Sequence, residues 1–161
     1  MRALMPGSYD PVTVGHLAVI EATAARYDRV TVALFINPNK KGLFPHEIRL
    51  TLLRLATAHL PNVDVIFSDG MVADYARAGG YDRIVKGVRS RTDLLYEEEM
   101  AAFNLERGGV PTELVPAEEA YAAVSSTAVR RALAAGDQAA LSLLLPPSVL
   151  EEALSAYRSL S

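Results

Sequence analysis

Apolar residues follow two rhythms along this chain. Ala3 to Met5 is a short apolar run cut by Pro6-Gly7, which predicts a strand breaking into a loop. Beyond that loop Leu17, Ile20, Ala24 and Tyr27 recur at helical spacing, so Val14 to Tyr27 predicts an amphipathic helix. Arg29 to Ile36 is β-branched and mostly apolar, the composition of a strand buried on both faces. The polar loop Asn37-Pro38-Asn39-Lys40-Lys41-Gly42 follows. A second helix runs from about His46 to His59, with Ile48, Leu52, Leu55 and Ala56 on one face. Asn62 to Phe67 predicts a third strand, ended by Ser68-Asp69-Gly70. Met71 to Ala78 then predicts a short helix stopped by Gly79-Gly80, a pair suited to a left-handed cap. Arg83 to Val85 predicts a fourth strand with Lys86 to Arg89 just past its end, and a long helix from about Thr92 to Arg107 stops at Gly108-Gly109. Thr112 to Val115 is the fifth predicted strand. After the connection Pro116 to Val124, Ser125 suits the N-cap of a helix reaching Ala135. Gly136-Asp137 ends it, and Pro146-Pro147 separates a leucine-rich stretch from a last helix, about Ser148 to Tyr157.

Strands alternating with helices, through connections too long for hairpins, predict an α/β fold. We expect one domain over residues 1–161: a five-stranded parallel sheet, helices on both faces, and C-terminal helices appended. Ligands of such sheets bind outside the carboxyl ends of the strands. Every polar cluster falls there: Ser8 to His16, Asn37 to Gly42, Ser68 to Met71, Lys86 to Arg91 and Tyr121 to Thr127. At the first junction a strand end meets a helix N-terminus, whose unpaired N–H groups and positive dipole end favour an anion such as phosphate. Gly7 and Gly15 allow close approach at both ends of that loop, Ser8 and Thr13 add hydroxyls, and His16 falls in the first helical turn.

Composition narrows the class. The 161 residues suffice for a sizeable core, and at 50% hydrophobic and 22% charged the chain is too apolar for disorder. A net charge of -3, with no basic run longer than Lys40-Lys41 or Arg130-Arg131, argues against a nucleic-acid partner and makes any anion site local. The absence of cysteine removes disulfides, thiolate metal sites and cysteine nucleophiles, and fits a reducing compartment. No stretch approaches the roughly 20 apolar residues of a membrane helix, and no signal segment opens the chain, so a cytoplasmic location without a membrane partner is expected. His46-Glu47-Ile48-Arg49-Leu50 lacks the second histidine of a zinc HExxH helix, and His46 and His59 read as structural. Neither a GxxxxGK(S/T) phosphate loop nor a GxGxxG fingerprint is present, which speaks against a P-loop kinase and a nicotinamide dehydrogenase.

Taken singly, His16 could as readily be a capping residue as a catalyst, Lys40-Lys41 a solvated turn, and Glu97 to Glu99 favourable charge near a helix start. Together the segments say more. Gly7-Ser8-Tyr9-Asp10-Pro11 with Thr13-Val14-Gly15-His16 resembles the first signature of the nucleotidyltransferase superfamily whose motif is written (H/T)xGH. Within it the likeness is closest to the bacterial phosphopantetheine adenylyltransferases. Lys86-Gly87-Val88-Arg89-Ser90-Arg91-Thr92-Asp93 with Tyr96-Glu97 resembles that family's Arg-Gly-Leu-Arg segment, its Asp and its Tyr-Glu pair. Ser125-Ser126-Thr127 is similar to its (I/V)-S-S-(S/T) helix start. The chain departs from the pattern at Lys86, where arginine is common, at Val88, where leucine is common, and in a connection before Ser125 that is one residue longer, with Ala120 where an aromatic can occur. Lysine keeps the charge but not the bidentate fork.

The resemblance implies a Rossmann-like fold and in-line transfer of AMP from ATP to 4'-phosphopantetheine, giving dephospho-coenzyme A and pyrophosphate without a covalent protein intermediate. It implies His16 as transition-state stabiliser at the α-phosphate, with Lys40 and Ser126 as further catalytic groups. Ser8, Lys40 and Lys86 would hold the acceptor phosphate and Met71 the pantetheine arm. ATP would meet Ser8, Tyr9, His16, Gly87, Val88, Arg89, Glu97, Tyr121, Ala122, Ala123, Val124, Ser125, Ser126 and Thr127. Mg²⁺ would ride on the phosphates without protein ligands. Coenzyme A as a feedback inhibitor and a homohexameric assembly are further implications. Two alternatives remain open: another small nucleotidyltransferase, of the nicotinamide mononucleotide adenylyltransferase or cytidylyltransferase type, and a nucleotide-binding module without catalysis.

Overall fold

The computed structural model describes residues 1–160. Alternation along the apolar runs builds its two cores. Ala3 and Met5 of β1 (Arg2–Gly7), Val30, Val32 and Leu34 of β2 (Arg29–Phe35), and Val85 of β4 (Arg83–Val88) enter one core, while Leu4, Ala33 and Ile84 enter the other. Side chains that point alternately up and down must all be apolar when both faces are covered, which is why these strands read as near-continuous hydrophobic runs. With β3 (Val63–Ser68) and β5 (Thr112–Pro116) they form one parallel five-stranded sheet in the order β3-β2-β1-β4-β5, an α/β Rossmann-like fold.

The larger core is closed by α1 (Val14–Arg26), α2 (His46–Thr57), α5 (Ser126–Ala135), α6 (Gln138–Leu144) and α7 (Pro147–Arg158), through Ile20, Leu52, Leu53, Val129, Leu141 and Val149. The smaller core lies under α3 (Val72–Ala78), which contributes Ala76; α4 (Arg91–Gly108) packs beside α3. A Cβ at Gly108 would stand 2.5 Å from the Ala73 carbonyl oxygen, so those two helices meet at a distance only glycine permits. Among the described residues no helix is long and apolar enough to cross a membrane.

One expectation needs correction and two gain detail. β4 continues to Val88, so Lys86, Gly87 and Val88 belong to the strand instead of following it. The polar Lys86-Gly87 pair hides the strand's apolar rhythm because both line a cleft. The leucine-rich stretch is a helix, α6, started by the Asp137 carboxylate accepting from the Ala140 N–H. The left-handed residue after α3 is Gly80 at φ 67°, with Gly79 still right-handed.

Strand order also makes the site. The chain leaves β1 towards β2 on one side and returns to its other side at β4, so β1 and β4 flank the topological switch point. Their registered pairing ends at Leu4 opposite Ile84, yet β1 runs on to Gly7 and β4 to Val88. A crevice opens between these two ends, which stay paired to β2 and β5 but not to each other. Pro6, which has no N–H for a ladder, stands at this edge, and its carbonyl accepts from Lys86 Nζ at 3.2 Å.

Candidate active site

The crevice is a cleft of about 200 Å³. Its walls are the β1 end with Ser8 and Tyr9, the first turns of α1, the β4 end with Arg89, Asp93 and Glu97 of α4, and Ala117, Tyr121 and Val124 of the connection after β5.

His16 owes its state to the start of α1. Thr13 is the N-cap: its hydroxyl accepts from the His16 N–H at 3.2 Å, and the Thr13 N–H donates to His16 Nδ1 at 3.0 Å. This capping box uses a histidine where Glu or Gln usually serves. A ring nitrogen that accepts an N–H is unprotonated, so the neutral ring carries its proton on Nε2. Burial, and then the positive charges of Lys86 and Arg89, push the His16 pKa down from 6.5 to about 4. At neutral pH His16 is therefore an uncharged donor.

Tyr9 forms the ring's other support, an edge contact with centroids 5.0 Å apart and planes at 68°. Its backbone lies in the left-handed region at φ 41°, unusual for a residue with a Cβ. The buried Tyr9 hydroxyl donates to the Met5 carbonyl at 3.0 Å, and burial raises its pKa. A Cβ at Gly7 would come 2.9 Å from the Tyr9 ring, so the glycine makes this fold-back possible.

Two cations face the cleft, each matched by a carboxylate of α4. Lys86 Nζ lies 3.6 Å from Glu97, and Arg89 Nη2 lies 3.4 Å from Asp93. Ser90 caps α4 by accepting from the Asp93 N–H at 3.1 Å. An anion entering here would take up lysine and arginine donors already held in place.

The cleft thus gathers Ser8, Tyr9, His16, Lys86, Gly87, Val88, Arg89, Glu97, Tyr121 and Val124. It does not gather the other expected residues. Lys40 is exposed in a turn whose N–H bonds the Asn37 carbonyl; Ala122 and Ala123 are exposed. Ser125 spends its hydroxyl on the Ala128 N–H, Ser126 donates to the Pro11 carbonyl at 2.9 Å, and Thr127 accepts from Arg130 at 2.9 Å. The α5 start can meet an anion through backbone N–H groups, its hydroxyls being bonded within the protein. His46 stacks on Phe67 and His59 pairs with Glu21 at 2.8 Å, and neither lines the cleft.

A second cleft of about 170 Å³ adjoins the first, sharing Pro6, Gly7, Lys86 and Glu97. Phe35, Val72, Ile84, Tyr96, Met100 and Ala101 make it largely apolar; Val72 reaches it, whereas Met71 is exposed one residue earlier. Asn104, buried as a residue, lines it too, as does Thr112, whose buried hydroxyl has no partner among the described residues. Sequence reasoning missed Asn104 because a polar residue in a charged helix attracts no notice. It also missed Asp10 and Arg49, a buried ion pair beside the cleft whose members lie 39 positions apart, from 10 to 49.

The family described as cytidylyltransferase-like matches residues 4–132, a span that contains every residue lining the first cleft.

Proposed function

This chain belongs to the cytidylyltransferase-like family, whose chemistry is nucleotidyl transfer, and within that chemistry we propose that it moves the adenylyl group of ATP onto 4'-phosphopantetheine, giving dephospho-coenzyme A and pyrophosphate. An acceptor phosphate oxygen attacks the α-phosphorus, the bond to the bridging oxygen of pyrophosphate breaks, and the electron pair leaves with pyrophosphate. Such a displacement needs alignment and charge stabilisation more than covalent help.

The observation that carries this reading is His16, a neutral ring with Nδ1 tied to Thr13 and its proton on Nε2, in a cleft that also holds Lys86 and Arg89. A neutral donor stabilises the α-phosphate oxygens as charge builds without giving up its proton. Arg89 and the N–H groups opening α5 hold the β- and γ-phosphates, with Gly87, Val88 and the Tyr121–Val124 stretch against the nucleoside and Glu97 near its ribose. Ser8 and Lys86 hold the acceptor phosphate, and Lys40 reaches it from its exposed loop. Lys86 lines both clefts, which supports an acceptor whose phosphate sits at their junction and whose arm lies in the second. The apolar wall there, with the Asn104 amide and the unpartnered Thr112 hydroxyl in it, suits an arm that carries amides of its own.

Mg²⁺ is proposed to arrive on the ATP phosphates and to neutralise their charge. Among the described residues no group of three or more His, Cys, Asp or Glu is placed to hold a metal, and the ion would be held by the phosphates of the nucleotide. A homohexamer is the proposed assembly, supported by the exposed Leu95, Tyr96, Phe103 and Leu105 of α4. Coenzyme A, which shares the acceptor arm, is proposed as an inhibitor, and the cytoplasm as the location.

Pyrophosphate release with ATP and Mg²⁺ is the test, run with 4'-phosphopantetheine, nicotinamide mononucleotide and glycerol 3-phosphate in parallel, and with CTP in place of ATP. Release with phosphopantetheine and ATP alone is expected. Turnover with another acceptor keeps the His16 chemistry and overturns the substrate; ATP binding without release in any mixture identifies a binding module.

A further inference from the structure

We infer that Arg49 is a positioning residue for the transfer: its one guanidinium clamps the Ser8-Tyr9-Asp10 corner to the loop after β2, and so holds the His16 ring and the Lys40 loop in register. What is positioned rests on the function proposed above; the clamp itself rests on geometry.

Arg49 sits in the first turn of α2 with its side chain buried, facing an equally buried Asp10. Nε donates to the Phe44 carbonyl at 2.7 Å and lies 3.3 Å from Asp10 Oδ1, while Nη1 donates to the Ser8 carbonyl at 3.3 Å. Asp10 in turn accepts from the Leu43 N–H at 2.7 Å and the Phe44 N–H at 2.9 Å. Its own carbonyl accepts from Arg130 of α5 at 2.9 Å. Gly42 leaves room for the group, because a Cβ there would collide with Nη2.

Stability alone is a poor reason for this arrangement. Buried ion pairs are commonly replaced by apolar side chains of similar volume without loss of stability. An apolar pair, however, could not grip both flanks of Tyr9. Tyr9 holds a left-handed backbone at φ 41°, a conformation unfavourable for a residue with a Cβ, which relaxes when its neighbours are free. Arg49 binds the residue before it and the residue after it. The Tyr9 ring braces His16, so release of the corner reaches the donor at the α-phosphate. On its other side the clamp grips Leu43 and Phe44, just past Lys40, Lys41 and Gly42.

Two variants test it. Arg49→Lys keeps a cation opposite Asp10 and loses the fork; kcat is expected to fall roughly 10- to 100-fold and the KM for acceptor to rise several-fold, with ATP affinity by calorimetry within about threefold of wild type. The double variant Asp10→Asn with Arg49→Met leaves no orphan charge, so it should regain the melting temperature that Arg49→Met alone forfeits while its kcat stays low. A readout apart from activity is the imidazole ¹⁵N spectrum: in Arg49→Lys the His16 signals should titrate closer to the ordinary histidine range than in wild type. Unchanged kcat and KM in Arg49→Lys overturn the inference, as does a kcat that recovers together with the melting temperature in the double variant. If the wild-type protein transfers no nucleotide at all, the proposed function fails, and the clamp then stands or falls on whether the His16 titration moves.

Discussion

His16→Gln replaces the one imidazole of the cleft by a side chain of similar reach that does not titrate. In the folded protein the ring stays neutral down to about pH 4, whereas in the unfolded chain it takes a proton near 6.5. As the pH falls, the unfolded state therefore binds the proton first, and stability follows the difference in bound protons. The contribution is fully present above pH 6.5 and is lost as the pH drops towards 4. At about 1.4 kcal/mol per pH unit the whole interval amounts to roughly 3 kcal/mol. Lowering the pH from about 7 to about 4.5 removes about 2 kcal/mol of it. Carboxylates titrate over the same range, so the useful quantity is the wild-type loss minus the His16→Gln loss, measured by urea unfolding at both pH values. Contacts that glutamine fails to make are absent at both pH values and cancel. The wild type should lose about 2 kcal/mol more, equivalent to about 4–8 °C in melting temperature for a chain of this size. Parallel losses in the two proteins would refute the claim that the fold holds this ring uncharged, and with it the assignment of His16 as a neutral donor.

Three further outcomes are expected. His16→Ala should cut kcat by about 10²- to 10³-fold while leaving ATP affinity by calorimetry within a few-fold; near-normal turnover would remove its role at the α-phosphate. Lys86→Met should raise the acceptor KM about tenfold or more, and Lys86→Arg should hold or lower it because the fork is restored, so equal values for both would place the acceptor phosphate elsewhere. Gly108→Ala, whose Cβ would press on the Ala73 carbonyl, should lower stability by about 1–3 kcal/mol in thermal unfolding, and an unchanged melting temperature would mean that α3 and α4 are not packed this closely.

Much of the fold was legible in local pattern. The β-branched run Arg29 to Ile36 could hardly be anything but a buried strand, and β2 ends at Phe35. Ser125 was readable as an N-cap because a hydroxyl before a helical stripe has a definite local partner, here the Ala128 N–H. Boundaries failed where function interrupts the pattern: Lys86 and Gly87 stay in β4 although neither suits a buried strand, because the crevice lies beside them. The leucine-rich stretch lacked an apolar and polar alternation from which α6 could be recognised, and only its Asp137 cap marks the start.

Local interactions thus sufficed for most elements and for the motif residues, because capping, periodicity and glycine stops act within a few positions. The state of those residues was settled by neighbours far away in the chain. Pairing of β1 with β4 brings Lys86 to Pro6 and opens the crevice between them. Burial and two distant cations keep His16 neutral. Asp10 and Arg49, ordinary charges when read along the chain, become one buried unit when α2 packs. Desolvation and Coulomb interaction depend on separation in space, and separation in space between remote residues exists only once the sheet has formed.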